Sequence, residues 1–333
     1  MKKEELQDRF RGTLVGQALG DACGFPLEGL PASRCRRQAS PAVAGKLSRS
    51  DVGFSFGQYT DDTQMALAIT RSIIANQAIV PGDAAQRFAA LWAEGQIVGQ
   101  GLACREAVKR IINGVHWDLA GAPEGRAGNG AAMRTAPIGL FCYRDPETLF
   151  QATDQIARIT HRDQRARAGA VAVSFALAHL VSTQTPSPST LIPAITPHVS
   201  RLHVELADLL NELLLLRSEP EDKVISWIYS AGFIDEPATG WDGITPYVIS
   251  TVLGSIYAFF RHPADYLAAI RLAISMGGDV DTTAAITGAL VGSVVGLKGL
   301  PPDLAKKVND RGRNGYQDII SLADSLFKIT PIG

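Results

Sequence analysis

"GGDVDTTAAITGALVGSVVG", residues 277–296, decides the fold class. Its least polar part, 283–297, is about 15 residues long against the ~20 that a bilayer span needs, so it reads as a buried helix. Gly288, Gly292 and Gly296 recur at every fourth position, and each glycine costs about 1 kcal/mol against alanine in a helix interior. The same spacing occurs at Gly12, Gly16 and Gly20 in the first helical segment. The chain has 32 glycines, which accounts for some of these positions but not for the matched spacing. Two flat glycine faces suggest helices that approach closely, with each other as one candidate pair.

Helical punctuation continues outward from these segments. Leu206, Leu209, Leu210, Leu213 and Leu214 form one apolar stripe at the helical period. Asp145 and Pro146 fit the N-cap and first position of a helix. Another helix opens at Thr245-Pro246 and must stop near Pro263, and Gly95, Gly114 and Gly232 fall where helices would end. No sustained apolar–polar alternation and no hairpin signal occurs. The expected fold is therefore all-α. No composition break divides the chain, so 1–333 is expected to be a single compact domain. The best linker candidate, 182–197, reads as a surface loop within it. The longest irregular stretches, 29–58 and 118–130, are candidate site loops.

Hydrophobic residues at 46% and charged residues at 20% of 333 describe a soluble globular protein with a large core. A net charge of -1 gives no field to attract nucleic acid or an acidic membrane. The basic runs at 34–38 and 161–167 read as solvated faces. Cys23, Cys35, Cys104 and Cys142 show no CxxC spacing and read as reduced thiols of a cytoplasmic protein. The charged, amphipathic start is no signal peptide.

The chemistry lies in paired acids. "YTDDTQ" carries Asp61 and Asp62 with Thr60 and Thr63 on either side, just before an apolar helix; "GGDVDTT" carries Asp279 and Asp281 ahead of Thr282 and Thr283. For either pair alone, helix capping is the plainer reading. One helix start needs one cap, however, and each pair supplies two acids. If the two helix starts meet, four carboxylates share one small volume, and protons or cations must accompany them. Oxygen-only donors select Mg²⁺ or Mn²⁺ over zinc, and the hydroxyls of Thr60 and Thr282 can complete octahedral shells. Asp21, at the end of the first glycine helix, fits a supporting role, and Glu28 fits a mobile acid over the metals. Gly128-Asn129-Gly130 offers backbone N–H groups to an anion, although a plain turn accounts for it as well. His161, beside a charged run, has a surface or structural role as its simplest account.

Taken in order, "GDACGFPLEG", "YTDDTQ", "GNGAAMR", "ITHRD" and "GGDVDTTAAITGAL" resemble the motif series of the ADP-ribosylglycohydrolase family, over nearly the whole chain. The resemblance implies an all-α orthogonal helical fold with two Mg²⁺ or Mn²⁺ ions. Carried over, the metal ligands would be Thr60, Asp61, Asp62, Asp279, Asp281 and Thr282, with Asp61 and Asp62 facing different ions. Glu28 matches a glutamate near the metals. Gly128, Asn129, Gly130 and Met133 match a loop that holds the ADP-ribose diphosphate or ribose, and His161 a histidine near the substrate. The implied reaction is hydrolysis at ribose C1″ through an oxocarbenium-like transition state, with Glu28 or Asp62 as base or electrostatic partner.

The implied partner is an ADP-ribose-containing substrate, an ADP-ribosylated protein among the candidates, with no nucleic acid and no membrane. One departure concerns Arg126: the nitrogenase-linked branch has an acid there that handles the arginine substrate. An arginine there would repel a guanidinium leaving group, which weakens an arginine-specific reading and leaves serine-linked ADP-ribose, O-acetyl-ADP-ribose or another ADP-ribosyl ester or polymer open. Tyr59, Phe233 and Tyr247 are candidates to stack on adenine.

Two rival readings exist. Prenyl synthases also hold Mg²⁺ with paired aspartates, but their Asp-Asp-x-x-Asp motif lacks its last acid here, where Met65 stands. A non-catalytic ADP-ribose binder or crystallin-like member of the same fold is the other. Clustered acids kept without use would be destabilising, which argues against it.

Overall fold

The computed structural model describes residues 1–232 and 241–331. Among them the α-helices are, in order, α1 (Lys3–Gly24), α2 (Ala32–Val43), α3 (Asp61–Asn76), α4 (Pro81–Ala93), α5 (Leu102–Ile112), α6 (Trp117–Ala120), α7 (Ala136–Phe141), α8 (Pro146–Arg158) and α9 (Gln164–Ser182). They continue with α10 (Pro188–Val199), α11 (Val204–Leu216), α12 (Glu221–Ser230), α13 (Val248–Arg261), α14 (Tyr266–Ser275), α15 (Val280–Val295), α16 (Pro302–Ala305) and α17 (Tyr316–Ile329). Among the described residues extended pairing is limited to isolated bridges, so the fold is all-α. No helix of these residues is long and apolar enough to cross a membrane.

The two glycine faces pack on each other. Gly12 meets Gly292 and Gly296, Gly16 meets Gly288, Gly20 meets Ala284, and Gly24 meets Val280 and Asp281. α1 and α15 therefore run antiparallel, and a Cβ on any of these glycines of α1 would collide with the backbone opposite. Omitting the side chains lets the two backbones touch, which outweighs the loss of helix propensity. The seam is tied sideways by Tyr266 at the start of α14, whose hydroxyl donates to the Gly16 carbonyl at 2.6 Å. Antiparallel pairing brings the end of α1 beside the start of α15.

α9 is buried along almost its whole length and packs against α7, α8, α10, α13 and α15. A helix apolar all round belongs in an interior. One contiguous apolar cluster extends from Leu6 to Phe327.

Several elements follow the sequence directly. Asp145 caps α8 by accepting from the Glu147 and Thr148 amides, with Pro146 at the first helical position. Gly95, Gly114 and Gly232 each lie just past a helix end. Two stretches differ. The 182–197 segment is not a loop throughout, because α10 starts within it. Ser187 and Thr190 form a capping box, Pro188 takes the first position, and Leu191, Ile192, Ile195 and Val199 are buried. Likewise 29–58 contains α2, which buries Cys35, Ala39 and Ala42 while carrying Pro41 inside. In both, proline and polar residues on the exposed side mask a narrow apolar face.

Candidate active site

Asp21, near the end of α1, organises the start of α3. Its Oδ1 accepts from the Thr60 amide at 3.0 Å, and its Oδ2 from the Thr63 amide at 3.2 Å and the Thr63 hydroxyl at 2.6 Å. α3 is thus capped by a carboxylate from another helix, and Thr60 makes no side-chain cap bond itself. Asp61 and Asp62, the first two residues of α3, are released from capping. The Thr60 hydroxyl lies 3.0 Å from both Asp21 Oδ1 and Asp62 Oδ2. The Asp61 amide donates to Val98 O at 2.7 Å.

The start of α15 is set by Gly277 and Gly278, with φ of 69° and 78°. Side chains there would strike the backbones of Ala32 and Ile244, so the turn requires glycine twice. Asp279 is the N-cap residue but makes no cap bond. Instead its Oδ2 accepts from Asn129 Nδ2 at 2.7 Å, and Asn129 gives its other amide hydrogen to Thr251 Oγ1 at 3.0 Å. The turn that carries Glu28 joins here too: the Gly29 amide donates to Gly278 O and the Gly278 amide to Leu30 O, both at 2.8 Å. Glu28 itself is half-buried.

Three chain segments thus bring Asp21, Glu28, Asp61, Asp62, Asp279 and Asp281 into one region. Among the described residues none of them forms an ion pair. Burial pushes Asp61 well above the ordinary carboxylate range, and the charges of Asp21, Glu28 and Asp279 add to it. Burial likewise raises Asp62, reinforced by Asp21, Asp61 and Asp279, and Asp281, reinforced by Glu28, Asp279 and Asp62. Burial first, then Asp279, lifts Glu28 to about 7; burial lifts Asp21 to about 7 against its four hydrogen-bond donors. Asp62 Oδ1 and Asp281 Oδ1 are buried with no hydrogen-bond partner among the described residues. Thr282 is also buried beside them in sequence. Among the described residues no three His, Cys, Asp or Glu side chains close on a common point as a ready metal cage. The acids share a region and repel one another, and the dipoles of two helix N-termini favour their charge.

The Gly128-Asn129-Gly130 loop covers His161. A Cβ at Gly128 would lie 3.0 Å from His161 Nε2, and one at Gly130 3.0 Å from Cε1, so both glycines make room for the ring. The Asn129 amide is taken by Pro246 O at 3.0 Å. Met133 is buried, and its carbonyl accepts from Gln17 Nε2 at 2.8 Å. Gln17 also donates to Asp62 O at 3.1 Å, which links the loop to α3. Sequence reading passed over Gln17, although a polar side chain within the glycine helix was a signal. It also passed over Arg134, the last residue of "GNGAAMR".

Arg126 is exposed. Of the adenine candidates, Tyr59 is corrected: it is 1% exposed with its hydroxyl on Asn314 O, so it has no free face. Tyr247 is half-buried under Arg165, whose guanidinium lies 5.8 Å from the ring centre. Phe233 lies outside the described residues.

These features define an all-helical protein that gathers acids at two helix N-termini and one helix exit, beneath a short glycine loop. The ADP-ribosylglycohydrolase family model matches residues 2–331, and the chain belongs to that family. It is 28% identical to the ADP-ribosylarginine hydrolase Tri1 of Serratia proteamaculans (strain 568), over 99% of this chain and 81% of that protein. It is 27% identical to the ADP-ribosyl-[dinitrogen reductase] glycohydrolase of Rhodospirillum rubrum, over 93% of each. It is also 27% identical to human ADP-ribosylhydrolase ARH3, over 96% of this chain and 93% of that one. A solved structure described as an ADP-ribosylglycohydrolase-related protein complex superposes with a TM-score of 0.71 at 25% identity, over 98% and 99% of the two chains. Family and relatives support ADP-ribosyl hydrolase activity.

Proposed function

We propose that the chain hydrolyses the bond at ribose C1″ of ADP-ribosylated substrates and releases ADP-ribose, using two Mg²⁺ or Mn²⁺ ions. Thr60, Asp61, Asp62, Asp279, Asp281 and Thr282 would hold them. The observation that carries this reading is a gathering of buried acids that form no ion pair among the described residues, two of whose oxygens lack any hydrogen bond. Such a group needs protons or cations, and oxygen donors suit hard ions. Bound there, the ions would supply orientation for the ribose hydroxyls and an acidified water.

The remaining chemistry belongs to the chain. Glu28, held to about 7, can exchange a proton near neutrality or face the positive charge that develops at C1″. Asp62 is the other candidate for that role. Asn129 keeps Asp279 in one orientation. Gly128, Gly130, Met133 and His161 form the wall against which the ADP-ribosyl group would lie. We take 1–333 as one cytoplasmic domain, in keeping with four free, buried cysteines.

The test is ADP-ribose release from arginine- and serine-linked ADP-ribosyl peptides and from O-acetyl-ADP-ribose, each with Mg²⁺, Mn²⁺ or EDTA. Metal-dependent release from at least one is the expected result. Measured metal binding with no release from any would favour the binder or crystallin-like reading instead.

A further inference from the structure

Arg134 is fully buried, yet among the described residues it forms no ion pair. Neutral groups hold its guanidinium. Nη1 donates to Gly130 O at 2.7 Å and, more weakly, to the Cys104 sulfur at 3.8 Å. Nη2 donates to Thr160 Oγ1 at 2.7 Å and to Ile156 O at 3.1 Å. The Phe88 ring lies 5.0 Å from the guanidinium carbon, and Nε has no partner among the described residues. A buried cation with no carboxylate in contact, only the more distant charge of Asp61 acting on it, is destabilising, and packing alone does not call for one.

Its use follows from the direction of the hydrogen bonds. Thr160 Oγ1 lies 2.8 Å from Nδ1 of His161. A guanidinium only donates, so Thr160 accepts from Arg134 and has one hydrogen left to give. Two acceptors face that hydrogen: His161 Nδ1 and the thiol of Cys104. Sulfur is the weaker acceptor, which favours Nδ1 as the recipient. The ring then carries its own hydrogen on Nε2, the atom beside Gly128.

We propose that Arg134 and Thr160 are positioning residues that lock His161 as the neutral Nε2–H tautomer, which offers a fixed hydrogen-bond donor to an oxygen of the ADP-ribosyl group. The substrate half of this rests on the proposed function; the tautomer half does not. Burial and the neighbouring Arg134 charge hold His161 down to about 3, so the ring stays neutral at working pH. The same guanidinium pins the carbonyl of Gly130, next to the Asn129 that orients Asp279. One buried side chain thus sets both the donor and the loop.

The tautomer can be read without turnover, from the ring ¹⁵N resonances of the full chain labelled on histidine. The wild type should show a pyrrole-type nitrogen at Nε2 and a pyridine-type nitrogen at Nδ1 of His161, unchanged across neutral pH. Thr160→Val should lose this fixed pattern and Thr160→Ser should keep it. kcat/KM should fall about tenfold to a hundredfold in T160V, taking as the guide the loss seen when a partner that orients a metal-bound imidazole is removed, and T160S should restore it. A pyrrole-type Nδ1 or a charged ring in the wild type overturns the proposal, as does an unchanged pattern in T160V. If T160V does not fold, the spectra of the wild type and T160S still decide. A lost tautomer with kcat/KM intact overturns the catalytic half. The predicted tautomer with no release from any substrate leaves the lock standing and counts against the proposed function alone.

Discussion

Asp62 and Asp281 each keep a buried oxygen that nothing among the described residues satisfies. Removing such a charge should stabilise the metal-free protein while removing its response to metal. Asp281→Asn is expected to raise stability in EDTA by on the order of 1 kcal/mol, within the range of single stabilising changes and in line with the trade-off between stability and function. It should also abolish the further gain on adding Mn²⁺; calorimetric melting with and without Mn²⁺ checks both, and a destabilised apo variant would sink the idea. Protons tell the same story. Asp21 and Glu28 hold theirs to about 7 in the fold, against 3.8 and 4.5 unfolded. The folded state binds more protons in that interval, so stability from these groups falls as pH rises through 7. His161 acts oppositely, but its contribution is complete above the unfolded value of 6.5. Melting in EDTA should therefore drop between about pH 6.5 and 8, and Mg²⁺ or Mn²⁺ should flatten that drop. A melting temperature that climbs over the same range in EDTA would contradict it.

The α1–α15 seam is the element on which the site depends. Gly16→Ala gains about 1 kcal/mol of helix propensity, but its Cβ would collide with the Gly288 carbonyl. Overpacking of this kind costs about 1–3 kcal/mol or more, so net destabilisation is expected in denaturant unfolding. Gly82→Ala, in the first turn of α4, meets nothing closer than 3.7 Å and should be neutral or stabilising. Equal effects for the two would show that the close approach is not what matters. Because the seam sets Asp279 and Asp281 against Asp21 and Glu28, G16A should also weaken metal affinity. The glycine seam was legible because glycine at matched spacing in two helices is costly unless their backbones meet. α2 and α10 were not, since Pro41, Pro193 and Pro197 sit inside helices that tertiary packing sustains.

Across the whole molecule, what could be read from sequence was what depends on neighbours along the chain. Paired acids ahead of helices, an all-α pattern and a glycine loop are local signals. Asp21 capping α3 from 39 residues away is not, and neither is Arg134 reaching Thr160 across 26. Those roles exist only once the helices have met. The order of that meeting follows from the seam. A chain made at about 5–20 residues per second completes α15 on the order of 15–50 s after α1 has emerged. Asp21 and α3 can pair early, but Asp279 and Asp281 arrive last, on the helix that closes against Gly12, Gly16 and Gly20. Crowding of Asp279 and Asp281 with the earlier acids is thus postponed until α15 docks, and a nascent chain halted before α15 would carry only the repulsion among Asp21, Glu28, Asp61 and Asp62.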